Sequence, residues 1–149
     1  MKKKLCLLLA LIIGGVLVLS GCGSKEVVDG TDDLRTDGVY QTADEDLADQ
    51  DFFKFFKDGK VHFERDDKGM QADEAFRKLT KSSFEDNNPG KTSNSFTVKK
   101  SNEIEFTFGT NNEKTYSLTI DGDTLKGKVT KQDGNVYERE YKFVEVNED

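Results

Sequence analysis

The chain has 149 residues, of which 22 are basic and 29 acidic, with one histidine, two cysteines and no tryptophan, for a formal net charge of −7. So acidic a protein is repelled by nucleic acid and by anionic lipid, which argues against a nucleic-acid partner and against electrostatic docking on a membrane surface. One histidine and two cysteines are too few for an ordinary zinc site.

In chain order, the first 21 residues read as a signal peptide. Lys2, Lys3 and Lys4 precede an apolar run from Leu5 to Leu19, and the small residues Ser20 and Gly21 lead to Cys22. This is the layout of a secretory signal. The run is also shorter than the roughly 20 residues of a membrane-spanning helix. The tetrapeptide Leu19-Ser20-Gly21-Cys22 resembles the lipobox of bacterial lipoproteins. That resemblance implies cleavage between Gly21 and Cys22, a diacylglyceryl group on the Cys22 sulfur, and attachment to the outer face of the cell membrane. Two acyl chains suffice for stable anchoring. Cys6 leaves with the signal, so no disulfide can form within the remaining chain, and stability must come from a core. Loss of three lysines leaves 19 basic residues against 29 acidic ones, a net charge of about −10.

Residues 22–36 are polar, small and acidic. They are expected to form the lipidated cysteine and a flexible tether, with packing of Val27 and Val28 on the domain as the alternative. Residues 37–149 are enough for a single domain with one core. Asp-Gly pairs at Asp37-Gly38, Asp58-Gly59, Asp121-Gly122 and Asp133-Gly134 punctuate this part. Asp-Gly between apolar runs signals a hairpin, because both residues tolerate positive φ. The dense aromatic stretch Phe52, Phe53, Lys54, Phe55, Phe56 reads either as a helix continued from Thr42 or, preferred here, as a strand after a short helical turn near 44–50. A strand at 60–64 completes that hairpin. Ala72, Ala75, Phe76 and Leu79 recur at helical spacing and predict a helix over 71–82, with Phe84 packing beyond it and a turn around Pro89. From residue 95 to 146, apolar residues alternate with polar ones in five successive runs, which predicts an antiparallel meander. In the last run Tyr137, Tyr141 and Phe143 share a face interrupted by Arg139.

The total is mainly β: about eight antiparallel strands and one helix, with closure into a barrel as the means of hiding the edges. Gly38-Val39-Tyr40, Phe56-Lys57-Asp58-Gly59-Lys60 and Ile120-Asp121-Gly122-Asp123-Thr124-Leu125-Lys126-Gly127 resemble the small lipocalin-like lipoproteins of Gram-positive bacteria. The resemblance implies a small lipocalin-like barrel.

Catalytic chemistry finds little support. His62 would have to serve any Ser-His-Asp triad, yet no Gly-x-Ser-x-Gly elbow exists, and alternation puts His62 with Glu64 on a solvent-facing side. Asp66-Asp67 and Asp121-x-Asp123 have oxygen ligands suited to calcium. Counted from Asp121, however, an EF-hand would need glycine at Lys126 and glutamate at Gln132, so solvated turns are the better reading. No cofactor motif or metal site is expected. The eleven phenylalanines and four tyrosines are the most suggestive feature. They predict either a packed core or an apolar cavity lined by Phe53, Phe55, Phe106, Tyr116 and Tyr141. The functional expectation is a lipid-anchored, non-enzymatic binding domain for a small apolar ligand or a cell-envelope component. The alternative is an interaction or immunity module whose acidic surface meets a basic protein.

Overall fold

The computed structural model describes residues 25–46, 49–66, 69–80, 94–108 and 113–147. These form β1 (Gly38–Thr42), β2 (Gln50–Phe55), β3 (Lys60–Asp66), α1 (Ala72–Thr80), β4 (Asn94–Ser95), β5 (Thr97–Lys100), β6 (Glu103–Phe108), β7 (Lys114–Asp121), β8 (Thr124–Lys131) and β9 (Val136–Glu145). All pairings are antiparallel, and the sheet runs in the order β4-β3-β2-β1-β9-β8-β7-β6-β5. Its two outermost strands are consecutive in the chain, with Phe96 alone between them. There the Phe96 amide donates to the Gly59 carbonyl at 3.0 Å, while the Asn94 side-chain amide donates to the Thr107 carbonyl on β6. One bent strand therefore serves both sheet edges and nearly closes a small lipocalin-like barrel. The expected eight strands become nine because this strand is interrupted where Phe96 enters the core.

Three of the four Asp-Gly pairs form hairpin turns, with Gly59, Gly122 and Gly134 at φ of 85°, 56° and 85°. Asp37-Gly38 does not: Gly38 opens β1, and a Cβ on it would fall on the Val144 carbonyl oxygen of β9. Gly127 is confined in the same way. It lies opposite Leu118, and a Cβ would strike the Ser117 carbonyl. Backbone cannot step aside as a side chain can, so Gly127→Ala is expected to lower stability by about 3 kcal/mol, the upper end of overpacking costs. A urea midpoint unchanged from wild type would contradict this close approach.

Alternation divides β2 between two cores. Phe53 and Phe55 face the barrel interior with Tyr40, Val61, Ile104, Phe106, Phe108, Tyr116, Leu118, Leu125, Val129 and Tyr141. Phe52 faces outward and, with Val39, meets Ala75, Phe76 and Leu79 of α1. The helix forms because its apolar residues recur every three or four positions. Asp73–Arg77 and Glu74–Lys78, both at 3.1 Å, pair along its outer face. Lys54, also outward on β2, is buried beneath it. Its ammonium donates to the Thr36 carbonyl at 2.8 Å and lies 4.0 Å from the Phe76 ring centroid.

Three expectations change. From Lys25 onward the supposed tether is packed on the barrel: Val28 and Leu34 join the core, and Val27 bridges Arg35. The Arg35 side chain, 7 % exposed, is the reason. It pairs with Asp37, Glu145 and Asp123 and lies 4.2 Å from the Phe143 centroid, while its amide donates to the Tyr40 hydroxyl. Asp123 is thus neutralised here, and Asp121 pairs with Lys126 at 3.4 Å. His62 is on the outer face as alternation requires, but α1 covers it. It is half-buried, its Nδ1 is 2.6 Å from the Leu79 carbonyl and its ring 4.5 Å from Phe56. Residues 45–46 make a turn rather than helix before β2 begins at Gln50. The helix expected to reach 82 is described through Thr80; Phe84, Pro89, Asp67, Cys22 and the signal peptide lie outside the described residues. Among the described residues no helix is long and apolar enough to cross a membrane.

Candidate functional site

The barrel has two unlike ends. At one, the segment from Val28 to Arg35 packs across the opening, near the β7–β8 turn, where Lys25 reaches Asp123 at 3.7 Å. At the other lies a cleft of about 390 Å³ lined by Thr42, Asp49, Asp51, Arg65, Lys114, Lys131, Tyr137 and Arg139. These come from the end of β1, the start of β2, the end of β3, the start of β7, the end of β8 and the start of β9.

Strand periodicity explains why charges gather at this mouth. Side chains two residues apart share a face. Each strand's inward set is apolar in the middle and polar where it reaches the opening. Phe53 is followed outward by Asp51, Phe63 by Arg65, Tyr116 by Lys114, Val129 by Lys131, Tyr40 by Thr42, and Tyr141 by Arg139 and then Tyr137. The five residues expected to line an apolar cavity sit one layer below, buried and in mutual contact. The Phe53 ring lies 4.9 Å from Tyr141, 5.3 Å from Tyr116 and 5.5 Å from Phe106, and Phe55 lies 5.7 Å from Phe106. They form the apolar floor of the mouth.

The mouth is built, not merely decorated. Arg65 Nε donates to Asp51 Oδ1 at 2.7 Å, and the Asp51 amide donates to the Thr42 hydroxyl at 2.9 Å. The half-buried Tyr137 ring has the Arg139 guanidinium 4.4 Å and the Lys131 ammonium 5.7 Å from its centroid. Such cation–π contacts hold long side chains in place. Partial burial, followed by the Arg65 charge, lowers the Lys114 ammonium below the usual lysine pKa. Asp51, by contrast, raises Arg65 further. Burial raises the phenols of Tyr116 and Tyr141 in the floor. The Tyr141 hydroxyl is buried with no hydrogen-bond partner among the described residues.

A second groove, of about 450 Å³, runs beside α1 and is lined in part by Lys54, Lys57, Glu26 and Asp37. Its charges are satisfied internally, with Lys57 pairing Glu26 at 3.6 Å, Lys54 reaching Thr36 and Asp37 held by Arg35. The mouth is the better candidate. Sequence reading missed Arg65, Lys114, Lys131 and Arg139, although Arg139 interrupting the Tyr137–Tyr141–Phe143 face was the available signal.

No family model, curated protein or solved structure matches the chain.

Proposed function

We propose that this is an extracytoplasmic lipoprotein, anchored through a diacylglyceryl group on Cys22, whose barrel is a non-enzymatic binding domain that takes an anionic cell-envelope component at its mouth. One observation carries the reading. A chain of net charge −7 turns four cations and two carboxylates inward around a single opening. The apolar-ligand version is less favoured, because the aromatic rings that would line a cavity pack against one another. Polarity also fits. Lys25, three residues after Cys22, lies at the opposite end of the barrel, so an anchored domain would present its mouth away from the membrane. The second reading, an acidic surface that meets a basic protein, rests on the net charge of −7 alone.

Sulfate is a suitable generic probe. Titrated at constant ionic strength into protein purified from membranes in neutral detergent, it is expected to bind, and Lys114→Ala/Lys131→Ala is expected to weaken binding about a hundredfold, roughly tenfold per charged hydrogen bond lost. Equal binding by wild type and variant would overturn the site. For the anchor, mass spectrometry should find a first residue Cys22 carrying acyl chains; an intact Met1 with unmodified Cys22 would overturn it.

A further inference from the structure

The cations of the mouth are not equally engaged. Arg65 is paired with Asp51, whereas Lys114, Lys131 and Arg139 have no ion pair within 4 Å among the described residues. Against Asp49, the remaining carboxylate of the lining, they leave a surplus of two positive charges. Lys114 and Lys131 are also directly opposite one another on β7 and β8. Like charges in that position destabilise a sheet, and an anion bridging them removes the penalty. Tyr137 holds the third cation, Arg139, over the same cleft.

The carboxylates constrain the ligand further. Asp49 and Asp51 would repel an ion that is anionic throughout, such as a polycarboxylate, yet they are acceptors suited to hydroxyl donors. A tetrahedral group with three free oxygens can meet three cations approaching from β7, β8 and β9, whereas a carboxylate offers two oxygens in one plane. The cleft volume, about 390 Å³, suits one small-molecule moiety.

We infer that the mouth recognises a phosphate monoester of a sugar or polyol, its dianionic phosphate bridging Lys114, Lys131 and Arg139 and its hydroxyls turned to Asp49 and Asp51. This rests on the anion-binding reading above and narrows it. Calorimetry on the full protein in neutral detergent, at constant ionic strength, separates the two. Glucose 6-phosphate is expected to bind about tenfold more tightly than sulfate at neutral pH, and glucose alone not at all. Because the second phosphate pKa is about 6, the advantage over sulfate should fall by about tenfold at about pH 5. Sulfate, a dianion over that whole range, meets the same charged groups of the cleft, Asp49, Asp51, Arg65, Lys114, Lys131, Tyr137 and Arg139, and so corrects for any change in the protein. Lys131→Gln should remove the preference. Sulfate binding as tightly as glucose 6-phosphate, or a ratio independent of pH, would overturn the phosphate assignment and leave the anion site standing. No binding of either would overturn both. Short-chain phosphatidic acid, a phosphate monoester with no free hydroxyl, should compete at least tenfold less well than glucose 6-phosphate; equal competition would overturn the part given to Asp49 and Asp51.

Discussion

Phe53→Ala is expected to lower stability by about 4 kcal/mol, the range measured for removing a buried phenylalanine and a large part of the 5–15 kcal/mol typical of a domain. Phe53 is fully buried, and its ring lies within 4.9–6.0 Å of Phe63, Phe106, Phe108, Tyr116 and Tyr141. The effect is large because of where those partners come from. β2 is hydrogen-bonded to β1 and β3 only. Phe106 and Phe108 are on β6, Tyr116 on β7 and Tyr141 on β9, so these contacts cross the interior and join opposite walls. Backbone ladders hold neighbouring strands together; this ring helps fix the curvature of the whole sheet. Phe53→Leu keeps most of the volume and should cost less than half as much. Phe53→Ala should also open an apolar hole of ring size and bind a small environment-sensitive apolar dye more strongly than wild type. Equilibrium urea unfolding measures the first effect and dye fluorescence the second. A loss under about 1 kcal/mol, with dye bound equally by wild type, would mean that the interior is open and would restore the cavity reading.

How far the sequence could be read follows from the range of each signal. The meander from β5 to β9 was legible because period two is a local signal and Asp121-Gly122 and Asp133-Gly134 supply turn chemistry between runs. Helix α1 was legible through Ala75, Phe76 and Leu79. The packing of Val28 and Leu34 was not. It depends on Arg35 meeting Glu145 and Asp123, about 110 and 90 residues away, and no local pattern announces such a partner. His62 illustrates an intermediate case. Its face followed from alternation, but its burial depended on α1 docking over that face. Asp37-Gly38 makes no hairpin because Asp-Gly has two physical uses: its glycine permits positive φ in a turn, and it removes a Cβ where strands crowd, as at the start of β1. The mouth was hidden for a related reason. Lys114, Lys131 and Arg139 look like ordinary exposed charges until barrel closure shows that they continue the inward face of their strands. The floor beneath them was found because large buried aromatics declare themselves individually, whereas a binding site here emerges only from register across β7, β8 and β9.

Alkaline pH is expected to unfold this protein over a narrow range between about pH 10 and 12, through its tyrosines. Tyr40, Tyr116 and Tyr141 are 0 %, 1 % and 0 % exposed, and burial raises the phenol of each well above the ordinary tyrosine value of about 10. A raised folded pKa means that the native state keeps a proton the unfolded chain gives up. The contribution is therefore fully present below pH 10 and is lost as pH rises above it. Each phenol costs about 1.4 kcal/mol per pH unit beyond its unfolded pKa, so three together cost about 8 kcal/mol by pH 12, comparable with total domain stability. Lys114, its pKa lowered mainly by partial burial, opposes this, but as one largely solvent-accessible group it cannot offset three phenols. The chain has four tyrosines and no tryptophan, so tyrosinate absorbance near 295 nm can be followed without tryptophan overlap. Tyr137, half-buried at the mouth and raised by that burial, reaches solvent and can ionise without unfolding; the other three should ionise with the transition, at the pH where far-ultraviolet dichroism is lost. Tyr141→Phe supplies the control. Its hydroxyl makes no hydrogen bond among the described residues, so removing it should leave neutral-pH stability unchanged or slightly higher while reducing the alkaline slope by about one third. Four phenols ionising independently in folded protein would show that the interior admits water and would overturn the packed-core account of the floor.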